Sequence, residues 1–88
     1  MTHEGLKTMK DNLIGKKIHQ YGNRWYEEIV EIVRSTQDKV LVKVRANDGF
    51  EMYECFGKRD GDWYFGSYWH HTERKTALYL WDLEQKSA

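Results

Sequence analysis

Apolar and polar residues alternate along the stretch from residue 39 to residue 70, and two turns divide it into strands. Asn47-Asp48-Gly49 separates KVLVKVRA from FEMYECF, and a three-residue loop with glycine third is typical of a β-hairpin. Asp60-Gly61, a second hairpin signal, precedes DWYFGSYWHH. The pattern therefore predicts an antiparallel three-stranded meander.

Both turns fix registers that assign the side chains to the same two faces. The first turn pairs Arg45 with Glu51 and Lys43 with Tyr53. The second register, continued without interruption, pairs Tyr53 with Tyr68, Met52 with Trp69 and Glu51 with His70. One face is apolar apart from Glu54 and Ser67, and we expect it to be core; its members are Val40, Val42, Val44, Met52, Phe56, Trp63, Phe65 and Trp69.

The opposite face of the meander mixes cations with rings and small residues. We expect this face to be either half covered or a binding surface. Its members are Leu41, Lys43, Arg45, Glu51, Tyr53, Cys55, Tyr64, Gly66, Tyr68 and His70.

The segment RWYEEIVEIVRS, residues 24–35, fits two structures. At 3.6 residues per turn its apolar and acidic positions separate into two arcs, which is typical of an amphipathic helix. As a strand it pairs Val33 with Val40 and Ile29 with Val44, and its β-branched residues favour that structure. The strand interpretation places Glu31 on the core face, so both alternatives stay open.

Shorter patterns flank these elements. LIGKKIHQ predicts a short strand that ends at the turn YGN, and TALYLWDL, residues 76–83, predicts a last strand. We expect a flexible or short helical arm at 1–11, a single domain at 12–84 and a tail at 85–88. The fold class is mainly β: a small barrel or strongly bent sheet of five to six antiparallel strands. The alternative is an α+β fold with a helix at 24–35 packed on the meander.

Composition limits the function classes. The chain has 88 residues with 14 basic and 14 acidic side chains, so no net charge attracts it to nucleic acid or to an anionic membrane. Cys55 is the single cysteine, which excludes an intramolecular disulfide and favours a reducing compartment. No apolar run approaches a membrane span. We expect a cytoplasmic protein that does not bind membranes.

The segment from Gly15 to Glu54 resembles the Tudor-like small β-barrels. A strand opens with glycine and lysines, a tight turn leads to the aromatic pair Trp25-Tyr26, and EIVEI and VLVKV resemble the second and third strands. The resemblance implies a barrel that binds a partner peptide, with Trp25 and Tyr26 as surface aromatics. The positions that supply the family's aromatic cage hold Val44, Arg45, Asn47 and Asp48, so the resemblance does not imply recognition of methylated side chains.

Catalytic and metal-binding motifs are not evident in the sequence. His70 and His71 point to opposite faces of a strand, so they do not readily share an ion. Cys55 and His70 share a face in the predicted register, but nothing in the sequence lowers the pKa of the thiol. We expect no enzyme activity, no metal and no cofactor; a metal-dependent or Cys/His-dependent enzyme is a remote alternative.

A binding function has more support. Cations and rings together are the combination that anchors protein interfaces and also stacks nucleic acid bases. A protein partner, including self-association through an open sheet edge, is the first hypothesis, because interleaved glutamates and a zero net charge disfavour nucleic acid. A small β-barrel that binds nucleic acid is the alternative. The candidate binding residues are Lys43, Arg45, Tyr53, Tyr64, Tyr68, His70, Trp25 and Tyr26.

Overall fold

The computed structural model of the chain describes residues 13–87, apart from the side chains of residues 67, 68 and 87. The arm predicted for residues 1–11 lies outside the described residues. The described elements are β1 Lys17–Tyr21, β2 Trp25–Ser35, β3 Lys39–Ala46, β4 Glu51–Arg59, β5 Asp62–His71 and the helix α1 Arg74–Ser87. The strands form one antiparallel sheet in chain order, bent into a nearly closed barrel. The mainly β class is confirmed.

Residues 25–35 form the strand β2, so the helical alternative is wrong. The strand carries two register shifts against β3, one between Ile29 and Glu31 and one between Ile32 and Arg34. The first shift places Glu31 opposite Lys43, away from the core, which removes the misfit that had favoured a helix. Because the two shifts add together, Ser35 rather than Val33 lies opposite Val40, and the predicted Val33–Val40 pair is wrong.

The β3–β4 hairpin has the predicted register along its whole length. Arg45 lies opposite Glu51 and Lys43 lies opposite Tyr53. Gly49 has a φ of 93°, in the left-handed region that favours glycine, and its amide donates to the carbonyl of Ala46 at 2.8 Å. The turn is therefore encoded locally by its own residues.

The β4–β5 hairpin begins as predicted and then departs from the predicted register. Gly57 lies opposite Tyr64, but the next pair is Cys55 with Trp69, so β5 contains three more residues than β4 between these pairs. An odd number of extra residues reverses the alternation of side chains. Gly66 lies in this bulge, and a Cβ there would meet the Tyr64 ring.

The bulge overturns three predicted cross-strand pairs. Met52–Trp69, Tyr53–Tyr68 and Glu51–His70 do not form; Trp69 lies opposite Cys55, His70 opposite Glu54, and His71 opposite Tyr53. Trp69 therefore faces away from the predicted core, and His70 lies on the core side of the sheet.

Apolar side chains form one cluster on each side of the sheet. The interior cluster, enclosed by the barrel, comprises Leu13, Ile18, Ile29, Val40, Val42, Val44 and Phe56, with Ile32, Met52, Trp63 and Phe65 packed against it. The helix-side cluster comprises Val33, Leu41, Tyr53, Cys55, Ala77 and Trp81, with Trp69 and Leu78 packed against it. The inward positions predicted for Trp63 and Phe65 are confirmed.

Residues 76–83 belong to α1, so the last strand predicted for TALYLWDL is wrong. The segment is rich in good helix formers, and its i,i+4 pair Ala77 and Trp81 is buried while Tyr79 is exposed. The apolar residues of this segment also repeat every two positions, as in a strand. The helix forms instead because it covers the apolar outer face of the sheet. The helix continues through residues 85–87, which the sequence had assigned to a tail.

Candidate functional site

The predicted cation and ring face is divided in the structure. Tyr53 is buried, with 8% of its surface exposed, in the helix-side cluster. The two cations converge on one acid, because Lys43 Nζ lies 3.1 Å and Arg45 Nη2 lies 2.7 Å from the carboxylate of Glu51. His70 is exposed on the other side of the sheet. These residues therefore do not form one continuous binding surface.

The remaining predicted residues lie elsewhere. Tyr64 is exposed, and the guanidinium of Arg59 stacks 3.9 Å from the centre of its ring. Trp25 and Tyr26 are half-buried, and adjacent side chains of a strand face opposite sides. Lys17 Nζ lies 4.6 Å from the centre of the Tyr26 ring. The side chain of Tyr68 lies outside the described part of the chain.

Cys55 is an unsuitable nucleophile. Burial raises the pKa of its thiol to about 12, and the negative charge of Glu84 acts in the same direction. The thiol therefore keeps its proton at neutral pH. Because Cys55 and His70 face opposite sides of the sheet, the structure does not bring together the pair that the predicted register suggested.

A group of three ionisable side chains lies at the barrel interior; we call His19, Glu27 and Glu54 the buried carboxylate site. Glu27 and Glu54 are buried, with 8% and 3% of their surfaces exposed. Nε2 of His19 lies 3.0 Å from Oε1 of Glu54 and 4.0 Å from Oε1 of Glu27. The side chains come from the consecutive strands β1 and β2 and from β4, which lies further along the chain.

Backbone geometry explains how His19 reaches this site. Its neighbour Ile18 is buried in the interior cluster, so strict alternation would direct His19 outward. His19 instead has a φ of 51°, and the β1–β2 register shifts between Ile18 and Tyr21. The ring thereby faces Glu54 and lies 6.2 Å from the centre of the Phe56 ring.

Burial dominates the electrostatics of Glu54. It raises the pKa of Glu54 to about 9, and the neighbouring Glu27 adds to the rise through a hydrogen bond and through its negative charge. Glu51 behaves in the opposite way, because hydrogen bonds from Arg45 and Lys43 lower its pKa. Glu54 therefore carries a proton at neutral pH, in contrast to Glu51.

Sequence reasoning did not identify the buried carboxylate site. Glu54 is an exception on the predicted core face, and Glu27 lies two residues before the buried Ile29, on the same face of β2. The sequence therefore indicates an inward position for two of the three residues. The position of His19 depends on a left-handed residue and an irregular strand pair. Those features are set by packing in three dimensions.

A second candidate site is a cavity of about 380 Å³ between the residues preceding β1 and the β4–β5 hairpin. We call it the seam cavity; its lining is Leu13, Lys16, Lys58, Gly61, Asp62, Trp63 and Phe65. Each ring has an ammonium group above it: Lys16 Nζ lies 5.5 Å from the centre of Phe65, and Lys58 Nζ lies 5.0 Å from the centre of Trp63. The cavity therefore presents apolar rings beside two cations.

The seam cavity lies between the two edges of the sheet. Within residues 13–87, β1 and β5 are the terminal strands of the order, and each pairs with another strand on one side. In the described part of the chain, the sheet therefore has no further strand beyond β5. Unpaired strand edges of this kind accept further strands.

Comparison with known proteins returned no similar sequence or fold: no family model, no curated protein and no solved structure matches this chain. Among the described residues, no helix has the length and apolar character needed to cross a membrane. The function is therefore inferred from the sites themselves.

Proposed function

We propose that this protein is a non-catalytic binding module that takes up an extended segment of a partner protein along the outer edge of β5. One side chain of that segment enters the seam cavity between Trp63 and Phe65. The observation that carries the proposal is the coincidence of a ring-lined cavity with a strand edge. A strand edge supplies backbone hydrogen bonds and an adjacent pocket supplies specificity, which is how proteins add a partner strand to a sheet.

Charge favours a partner segment with an acidic residue beside its apolar anchor. Two cations, Lys16 and Lys58, and one acid, Asp62, line the cavity. An ammonium above an aromatic face is only partly neutralised by the ring, so both lysines can still attract a carboxylate. The expected partner segment is therefore acidic and apolar rather than basic.

Protein is favoured over nucleic acid by the way the cations are already paired. Lys43 and Arg45 both contact Glu51, which reduces the positive charge available to phosphates on that face. Arg59 stacks on Tyr64 beside two aspartates of the same hairpin, Asp60 and Asp62. Nucleic acid binding relies on several free cations along one surface.

The other parts of the proposal have separate support. The high pKa of the Cys55 thiol disfavours cysteine chemistry and so favours a module without catalysis. A single buried cysteine is compatible with the reducing cytoplasm, which we propose as the location. The nearly closed barrel is compatible with a Tudor-like fold, which we retain as a hypothesis together with its peptide-binding role.

The test is selection of peptides from a random display library on the full chain, followed by affinity measurement with the enriched peptides. We expect acidic-apolar peptides to be enriched. Trp63→Ala should weaken binding roughly thirtyfold or more, equivalent to about 2 kcal/mol, because aromatic anchors dominate such interfaces. Hydrogen exchange should slow along residues 62–65 when the peptide binds.

Two charge-reversal variants test whether the peptide binds at the cavity or elsewhere on the surface. Lys16→Glu, an exposed change at the cavity, should weaken the acidic peptides, whereas Lys75→Glu, the same change on the exposed surface of α1, should not. The proposal is overturned if no peptide is enriched, or if both reversals act equally. It is also overturned if the chain binds oligo(dT) with a steep salt dependence, or forms a dimer that Trp63→Ala leaves intact.

A further inference from the structure

We propose that the buried carboxylate site binds one divalent first-row transition metal ion through His19, Glu27 and Glu54. This inference is independent of the peptide-binding proposal, because it concerns other residues on other strands. It also revises the sequence-based expectation of no metal.

The first argument is geometric. One nitrogen of His19 and one oxygen each of Glu27 and Glu54 all lie within 4.8 Å of one another. Metal–nitrogen and metal–oxygen bonds of about 2.0–2.2 Å place neighbouring ligand atoms roughly 3–3.5 Å apart. The His19–Glu54 separation of 3.0 Å and the His19–Glu27 separation of 4.0 Å are close to these values.

The second argument is an unsatisfied atom. Glu54 is a hydrogen-bonding neighbour of Glu27, but Oε1 of Glu27 accepts no hydrogen bond from the described residues. This oxygen is buried in a side chain that is only 10% exposed. The same oxygen faces His19 at 4.0 Å. A buried carboxylate oxygen without a donor is costly to the fold. A cation shared with His19 and Glu54 would supply the missing partner.

The ligand set indicates the class of metal. One imidazole and two carboxylates suit Zn²⁺, Mn²⁺ or Fe²⁺, whereas Mg²⁺ and Ca²⁺ prefer all-oxygen sites. The His19 side chain is 34% exposed, while those of Glu27 and Glu54 are 10% and 4% exposed. Solvent therefore reaches the site from the His19 side, which gives an ion a route of entry and leaves room for water as a further ligand.

The test uses the full chain purified without a polyhistidine tag and stripped with a chelator. Zn²⁺ is titrated by isothermal calorimetry, and thermal unfolding is followed with and without Zn²⁺. We expect one site per chain and a higher unfolding temperature with Zn²⁺, because an ion that binds only the folded state stabilises it. Parallel titrations with Mg²⁺ should show much weaker binding.

Three variants assign the site. Glu27→Gln and His19→Asn should each weaken Zn²⁺ binding by at least about tenfold, and asparagine tolerates the left-handed backbone at position 19. Glu28→Gln is the matched control, because it makes the same chemical change at the next residue of β2 and should leave the affinity unchanged.

The proposal is overturned by stoichiometric Zn²⁺ binding that Glu27→Gln and His19→Asn leave intact, since the ion would then lie at other histidines. It is equally overturned if the stripped wild type takes up no Zn²⁺. Circular dichroism of each variant in the absence of metal confirms that it is folded, so that a loss of binding reports on the ligands.

Discussion

The two sides of the sheet pair their polar groups differently. On the helix side, α1 brings polar partners: the Trp69 indole donates to Glu84 at 3.1 Å, and Arg74 donates two hydrogen bonds to Glu31. Inside the barrel, Glu27 and Glu54 meet each other and His19. A layer added from outside can supply complementary charge, whereas the barrel interior contains only side chains from its own strands.

This difference predicts where the structure is rigid and where it responds to solution conditions. The interior cluster should dominate the free energy of unfolding, because it contains most of the fully buried side chains. A single substitution in α1 should disrupt the helix-side cluster independently of the interior cluster. The buried carboxylate site should make stability depend on pH.

The largest expected effect comes from the interior. Phe56 is fully buried, and its ring meets Phe65 edge to face at 5.1 Å between ring centres. Phe56→Ala should lower the free energy of unfolding by about 3–5 kcal/mol, because it removes apolar burial and leaves a cavity. Urea denaturation followed by tryptophan fluorescence measures the loss. A change of less than about 1 kcal/mol, the level of a typical surface substitution, would contradict the central role of the interior cluster.

Trp81→Ala should have the next largest effect and a different character. It removes a ring that is 4% exposed between α1 and the sheet, and we expect a loss of about 3 kcal/mol, at the lower end of the range for large-to-small changes. Cys55, the single thiol of the chain, reports directly on this interface because it is fully buried in the helix-side cluster. Its modification rate with Ellman's reagent should rise in the variant.

Tyr79→Ala is the control for this change, since Tyr79 lies on the same helix but is 64% exposed. It should alter neither stability nor thiol reactivity. If Trp81→Ala leaves Cys55 as protected as it is in the wild type, α1 does not shield the outer face in the manner described.

The effect that depends on solution conditions is the pH dependence from Glu54. The folded-state pKa of about 9 lies above the ordinary value of 4.5, so the folded protein keeps a proton that the unfolded chain releases. The contribution to stability is fully present below pH 4.5 and is lost as the pH rises towards 9. With chelator present, the slope from this group should be at most about 1.4 kcal/mol per pH unit. Glu54→Gln should abolish it.

Glu51→Gln provides the contrast of opposite sign. Hydrogen bonds from Arg45 and Lys43 lower the pKa of Glu51 in the folded protein. The stabilising contribution of Glu51 is therefore present above its ordinary pKa and is lost as the pH falls into the acid range. Denaturation curves that respond identically to Glu54→Gln and Glu51→Gln would contradict the distinction between buried and paired acids.

The parts of the fold that the sequence predicted are those encoded by neighbouring residues. Asn47-Asp48-Gly49 determines the β3–β4 register, because a left-handed glycine and an aspartate that accepts from the Phe50 amide at 3.0 Å are local features. The strand irregularities near Glu31 and Gly66 are not local, because they depend on what the opposite strand can accommodate.

The candidate sites follow the same division. Trp63 and Phe65 were correctly assigned to the inner face, but their cavity depends on the residues before β1, which no pairing rule connects to the β4–β5 hairpin. Tyr53 is predicted on a surface because residues 76–83 are predicted as a strand. Those residues fit the strand repeat of two and the helix repeat of 3.6 residues, and as a helix they pack on Tyr53. That segment forms a helix because one face of the helix covers the apolar outer face of the sheet.

The bulge in β5 has a consequence for changes in chain length. Between the Gly57–Tyr64 pair and the Cys55–Trp69 pair, β5 has three more residues than β4. The side chains that follow keep their present faces only while this excess is an odd number. Deleting two residues there would shorten the loop and keep Trp69 beneath α1. Deleting one would exchange the faces of Trp69 and His70, so this segment can gain or lose residues in pairs while single insertions and deletions invert everything that follows.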